Sequence, residues 1–210
     1  MRMRAIVAGL GLILGVQSCV SVAPKALWDK GNGQAEPAHV GNFYATTILK
    51  EDLNSDVWYT PNSKCISIRS EDSLKNSGEK SIFIRWDKQG GGCDWVGMGI
   101  GWDAWSSKDL SSIKDSACLQ FRIYSTAGKI SSLPLAAGLE DYYGNQAWTG
   151  LGADKVHYVG EEKWAYVRIP LSEFNWKENN ADPSAIKQFV IQFEVAGELY
   201  FDDFEIVALP

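Results

Sequence analysis

From Lys64 to Val207, apolar and polar residues alternate in short runs separated by turn-forming residues. A period of two sends successive side chains to opposite faces of an extended chain, so each run predicts a half-buried strand. The runs fall at 66–69, 81–86, 96–102, 119–124, 133–139, 156–159, 166–169, 188–193 and 199–207. Asn76-Ser77-Gly78, Gly90-Gly91-Gly92 and Pro170 interrupt them. Helical signals are confined to turns at 171–174 and 183–186. With no long amphipathic helix to serve as a parallel crossover, the sheets are expected to be mostly antiparallel. Many short strands between turns predict an all-β antiparallel sandwich.

Alternation also sorts the side chains. Ile82, Ile84, Leu119, Phe121, Ile123, Val167, Ile169, Phe189, Ile191 and Phe193 fall on one side and form the expected core. Arg85, Gln120, Arg122, Tyr124, Tyr166, Arg168, Gln192 and Glu194 fall on the other. Guanidinium forks beside aromatic rings can bond hydroxyls while the rings stack on apolar faces. This outer face is therefore one candidate binding surface, against the alternative of a solvated, salt-bridged face.

The first forty residues follow different rules. Met1-Arg2-Met3-Arg4 is basic, Ala5 to Val16 is apolar, and Val16-Gln17-Ser18-Cys19 follows. These are the parts of a secretory signal, and the apolar run is shorter than the ~20 residues that span a bilayer. Val16-Gln17-Ser18-Cys19 resembles a lipoprotein cleavage box, with Cys19 as the lipidated residue and Gln17 looser than the usual small or aliphatic residue. The expected organisation is a signal peptide at 1–18, a lipid-anchored flexible tether at 19–39 and one domain at 40–210. The expected location is the cell envelope, at the outer membrane. Cys65, Cys93 and Cys118 remain, an odd number whose pairing the sequence leaves open. They form no C-x-x-C, and His39 and His157 are the only histidines, which argues against zinc.

Charge and aromatic content narrow the function. A net charge of −6 argues against nucleic acid, which would call for a basic patch. Nine Trp and eight Tyr exceed the ordinary needs of a sandwich core, and rings with a polar handle suit ligand surfaces. Two loop clusters gather them. Trp95, Trp102 and Trp105 lie among Asp94, Asp103 and glycines, and Trp102 is also expected to continue a strand into the core. The stretch 140–148 contains Asp141, Tyr142, Tyr143 and Trp148 among amides and is the preferred site, with the arginine face as the floor of the same groove. The spacing Gly97-x-Gly99-x-Gly101 lacks the helix of a dinucleotide site and reads as chance.

The order of these segments resembles galactose-binding-like β-jelly-roll domains, carbohydrate-binding module family 11 among them. Trp164-Ala165-Tyr166-Val167-Arg168-Ile169-Pro170-Leu171-Ser172-Glu173-Phe174 resembles their W-x-x-V-x-I-P-L-S-x-F stretch. Asp109-Leu110-Ser111, the strand at 119–123 and Tyr200-Phe201-Asp202-Asp203-Phe204 resemble the segments before and after it. The resemblance covers about Lys64 to Val207. It implies a jelly roll that binds a polysaccharide or oligosaccharide, and a structural calcium to which Asp202 gives a carboxylate. Gly41-Asn42-Phe43-Tyr44 departs from the acidic opening strand of such domains, which puts that calcium in question.

No G-x-S-x-G, H-E-x-x-H or histidine-based triad is present, so binding without catalysis is expected. The alternatives are a glycosidase or lyase on the same scaffold, with Glu140, Asp141 and Glu194 as conceivable carboxylates, and an adaptor for protein assembly. The expected ligand-binding residues are Arg85, Trp95, Arg122, Asp141, Tyr142, Tyr143, Trp148, Arg168 and Gln192. The expected partners are a glycan, the membrane through the lipid, and a neighbouring glycan-degrading enzyme.

Overall fold

The structure, a computed structural model, describes residues 39–49, 53, 55–131, 133–159 and 163–209. Cys19, the signal and most of the tether lie outside them. Twelve strands form two sheets: β1 (Thr47–Leu49), β2 (Val57–Tyr59), β3 (Ile66–Glu71), β4 (Ser81–Trp86), β5 (Gly97–Ile100), β6 (Ala117–Tyr124), β7 (Leu135–Asp141), β8 (Gln146–Gly150), β9 (Val156–Tyr158), β10 (Ala165–Pro170), β11 (Ile186–Phe193) and β12 (Gly197–Ala208). The larger sheet runs β3-β4-β12-β6-β10-β9, with β1 paired to β12, and the smaller runs β2-β5-β11-β7-β8. Every pairing is antiparallel. This is the sandwich that alternation predicts. The strands missed in the sequence are β1 and β2, each three residues long, and β8. Three residues are too few to display a period.

The expected inward residues are buried, and they meet from opposite sheets. Phe121 of β6 lies 6.3 Å from Phe189 of β11, and 6.0 and 5.1 Å from Phe201 and Phe204 of β12. Phe201 and Phe204 are three apart, which strict alternation would send to opposite faces. A register shift between Asp202 and Glu205, with Asp203 at φ 50°, turns both rings inward. An extra residue in one strand does this by bending it. The cysteines resolve as a Cys65–Cys93 disulfide and a free, buried Cys118. Burial pushes the Cys118 thiol up to about 11, so it stays protonated and inert.

The bulge is held by its carboxylates. Asp202 Oδ2 accepts the backbone N–H groups of Asn76 (2.8 Å) and Ser77 (3.2 Å), and Oδ1 accepts that of Asp203 (2.9 Å). Asp203 accepts from the Asn76 amide and the Ser77 hydroxyl. The 75–78 turn is thereby pinned to β12. Asp202 is almost fully buried, and burial raises its pKa to about 6, with the Asp203 charge adding to the rise and the N–H donors opposing it. Since the folded value exceeds the ordinary 3.8, the native state binds the extra proton between about pH 4 and 6. Stability from this group therefore falls as pH rises through that window. Denaturant titrations at about pH 7 and about pH 4.5 should show wild type gaining about 2 kcal/mol relative to Asp202→Asn on acidification. Equal pH dependence of the two proteins would contradict this assignment.

Candidate functional site

The site is built on the outer face of the smaller sheet. In β5, Met98 and Ile100 point into the core, so Gly97 and Gly99 face outward, and Gly101 continues their row. Each has an indole lying on its backbone. A Cβ on Gly97 would stand 2.2 Å from the Trp95 ring, one on Gly99 2.3 Å from Trp58, and one on Gly101 2.4 Å from Trp105. On β7, a Cβ on Gly138 would stand 2.9 Å from Trp148. Real Cβ contacts are not that short, so only glycine seats these rings flat. The spacing Gly97-x-Gly99-x-Gly101, expected to be chance, is a row of indole seats.

Register fixes the width of the surface. One row crosses the sheet as Trp58, Gly99, Val190, Gly138 and Trp148. Gly99 and Gly138 are two strands apart, roughly 10 Å. Trp95, Trp58 and Trp105 therefore line one side of a shallow trough and Trp148 the other. Of the β11 residues between them, Gln188 and Val190 are buried beneath the rings, 3% and 1% exposed, and Gln192 is half-buried. Trp58 and Trp95 stack with centroids 6.0 Å apart and planes 25° apart, and each is 37% exposed.

Amides and paired charges fill the gaps. The Trp58 indole N–H donates to Gln188 Oε1 (2.6 Å), that of Trp95 to Gln192 Oε1 (3.0 Å) and that of Trp148 to Gln146 Oε1 (3.1 Å). Lys187 is paired with Glu140 at 3.1 Å and Lys88 with Glu194 at 3.2 Å. The trough thus offers rings, amides and neutralised ion pairs.

Trp105 sits on a turn of unusual backbone. Asp103, Ala104 and Trp105 have φ of 56°, 52° and 62°, a left-handed conformation that costs non-glycine residues energy and needs outside support. The buried Lys108 ammonium supplies it, donating to Asp103 Oδ2 (2.9 Å), the Ser106 carbonyl (2.9 Å) and the Ser106 hydroxyl. The hydrogen bonds from Lys108 and Ser106 hold the Asp103 carboxyl below its usual range. The Tyr142 hydroxyl donates to the Trp105 carbonyl, tying the β7–β8 hairpin to this turn.

Of the residues expected from sequence, Trp95, Trp148 and Gln192 share the trough, and Tyr142 borders it. Tyr143 stands at the hairpin tip, 77% exposed. Asp141 is buried, and its carboxylate accepts from the backbones of Tyr143, Asn145 and Asp182 and from the Asn145 amide. Burial alone would raise its pKa, but those donors together hold it below the ordinary value. It closes the hairpin and presents nothing to the trough. Trp102 belongs to the core, 1% exposed.

The arginine face is a correction. Arg85, Arg122 and Arg168 lie on the larger sheet and cannot floor a groove that includes Trp148; identical alternation in strands of two sheets had merged two surfaces. Each has a partner within its own sheet. Arg85 pairs with Glu198 at 2.7 Å. The Arg122 guanidinium lies 3.3 Å from the centre of the Tyr166 ring. Arg168 Nε donates to Gln120 Oε1 (2.6 Å), and Gln120 Nε2 to Glu205 Oε1 (2.7 Å). Trp58 and Gln188 were missed, while Trp105 and Gln146 lay in the two loop clusters without being among the expected ligand-binding residues. The usable signal was the alternating glycines, which mark positions where a large ring covers the backbone.

The calcium expectation meets a chemical objection at Asp202. Three N–H dipoles already point their positive ends at its oxygens, an environment built for hydrogen bonding rather than for a cation. Among the described residues no group of three or more His, Cys, Asp or Glu could hold a metal ion. No role is assigned to calcium.

With this geometry in place, the chain can be compared with known proteins. The family 30 carbohydrate-binding module of a cellulosomal cellulase of Clostridium thermocellum superposes with a TM-score of 0.61 at 18% identity, over 77% of this chain and 96% of that one. An exo-β-agarase gives 0.52 at 15% identity, over 79% of this chain and 26% of the enzyme. The family 11 module of Clostridium thermocellum, in complex with a β-1,3-1,4-mixed-linked tetrasaccharide, gives 0.50 at 10% identity over 77% and 94%. At such identities the likeness is one of fold. No curated protein matches the chain. The sequence itself matches carbohydrate-binding domain 30 over residues 45–208, so the chain belongs to that family, and its jelly roll is a carbohydrate-binding domain.

Proposed function

We propose that the trough on the smaller sheet binds a neutral polysaccharide chain without cleaving it, and that a lipid on Cys19 holds the domain at the cell envelope. The observation that carries the reading is the set of four indoles lying on glycine backbone of one sheet face, with the half-buried amides of Gln146 and Gln192 beside them. Flat rings take the C–H faces of sugars, and amides take hydroxyls. Among the described residues the trough's lysines, Lys88 and Lys187, are paired with glutamates, which favours a neutral glycan over a uronic acid or sulfate. The carboxylates of Glu140 and Glu194 are engaged by lysine and glutamine, an arrangement suited to fixed geometry rather than proton transfer. A disulfide between Cys65 and Cys93 fits an exported protein. A glycan held in this way would sit within reach of a neighbouring glycan-degrading enzyme.

Mixed-linked β-1,3-1,4-glucan is the first ligand to test, since the family 11 module carries such a tetrasaccharide. In calorimetry or affinity gels, Trp58→Ala and Trp148→Ala should each weaken binding by about 2 kcal/mol, roughly thirtyfold. Arg168→Ala on the other sheet should leave affinity unchanged. Loss with Arg168→Ala and not with the tryptophans would move the site to the larger sheet.

Gly99→Ala should weaken binding as much as Trp58→Ala, because its methyl group occupies the ring's seat. A variant that binds like wild type would show that the ring does not need that seat.

The anchor has a separate test. Cells grown with labelled palmitate should label the wild-type chain and not Cys19→Ala, and the variant should leave the membrane fraction. Equal labelling of both would remove Cys19 as the lipid site.

A further inference from the structure

We propose that Glu194 and Glu140 are positioning residues, each fixing one indole of the trough through an intervening glutamine. The inference rests on the trough being the glycan surface. On one side, Lys88 Nζ donates to Glu194 Oε2 (3.2 Å), Gln192 Nε2 to Glu194 Oε1, and the Trp95 indole N–H to Gln192 Oε1 (3.0 Å). On the other, Lys187 Nζ donates to Glu140 Oε1 (3.1 Å), Gln146 Nε2 to Glu140 Oε2 (2.6 Å), and the Trp148 indole N–H to Gln146 Oε1 (3.1 Å). The order lysine, glutamate, glutamine, tryptophan is the same in both.

The two relays have unrelated origins in the chain. In the first, Gln192 and Glu194 are two apart along β11 and its end, and so lie on one face. In the second, Gln146 of β8 and Glu140 of β7 are cross-strand partners, and Lys187 enters where the β11–β7 register shifts. No repeat of sequence produces the match. Its common factor is the need of the ring at the end.

That need follows from the chemistry of an amide. A glutamine side chain presents an acceptor on one side and a donor on the other, and it can turn over. Turned over, its NH₂ would face the indole N–H, and the bond that holds the ring would be lost. An ionised carboxylate only accepts. Placed behind the glutamine, it forces the NH₂ toward itself and the carbonyl toward the ring. The lysine holds the carboxylate in place. Each indole is therefore oriented on its glycine seat before a sugar arrives, which removes part of the ordering cost of binding.

The test begins without glycan. In ¹⁵N-labelled protein, Glu194→Ala should shift the Trp95 indole N–H resonance upfield and speed its exchange with solvent. The Trp148 resonance, on the far side of the trough, should stay in place, which also reports an intact fold. Glu140→Ala should move the Trp148 resonance and leave that of Trp95. An unmoved Trp95 resonance in Glu194→Ala would overturn the relay. Binding to mixed-linked β-glucan then gives a double-mutant cycle. Glu194→Ala should weaken affinity about 3- to 10-fold in wild type and leave it unchanged in a Trp95→Ala background. An equal loss in both backgrounds would overturn the positioning role. Resonances that move as expected in a protein that binds no glucan would count against the proposed function and leave the relay standing.

Discussion

The packing of Phe121 against Phe189, Phe201 and Phe204 joins the two sheets, and the outer surfaces follow from it. Once Phe189 and Ile191 of β11 point inward, Gln188, Val190 and Gln192 must point outward, because a strand has no third choice. The same holds for β5, where Met98 and Ile100 turned to the core leave Gly97 and Gly99 outside. The floor of the trough is thus the reverse side of the core. A one-residue slip in β11 would turn the glutamines toward the core and remove their bonds to Trp58 and Trp95.

The two outer faces illustrate different uses of the same pleat. On the larger sheet, Arg122 and Arg168 are satisfied by Tyr166, Gln120 and Glu205, and Arg122 is 5% exposed. Glu205, raised above its usual pKa mainly by burial, is held in that network by Gln120. Such a face commits much of its hydrogen bonding to partners within its own sheet. On the smaller sheet, glycines remove side chains beneath the rings, so indoles lie flat and stay partly open. Glutamines take the N–H groups and leave the ring faces for apolar contact. The charged residues there act from behind, through amides.

Distant loops complete the surface. Lys108 supports the left-handed turn that carries Trp105, and its backbone pairs with Ile186 at the end of β11. Tyr142 reaches the same turn from the β7–β8 hairpin, which Asp141 closes from within. The disulfide to Cys93 fixes the chain two residues before Trp95. Each aromatic residue of the trough is thus attached to a rigid element rather than to a free loop.

Nine strands, their antiparallel pairing and the inward set were legible in the sequence, since a period of two is a local property. The segment at 164–174 and the closing Phe201-Asp202-Asp203-Phe204 also identified the type of sandwich. Of the trough, Trp95, Trp148 and Gln192 were found, but so were Arg85, Arg122 and Arg168, which belong elsewhere. Alternation states which residues share a face of one strand. It does not state which strands share a sheet, and sheet order here joins segments as distant as Trp58 and Gln188. The sequence alone determined the layers and the chemistry available. Tertiary structure decided which residues share a face, because only pairing between distant strands places an indole over a glycine and a glutamate behind a glutamine.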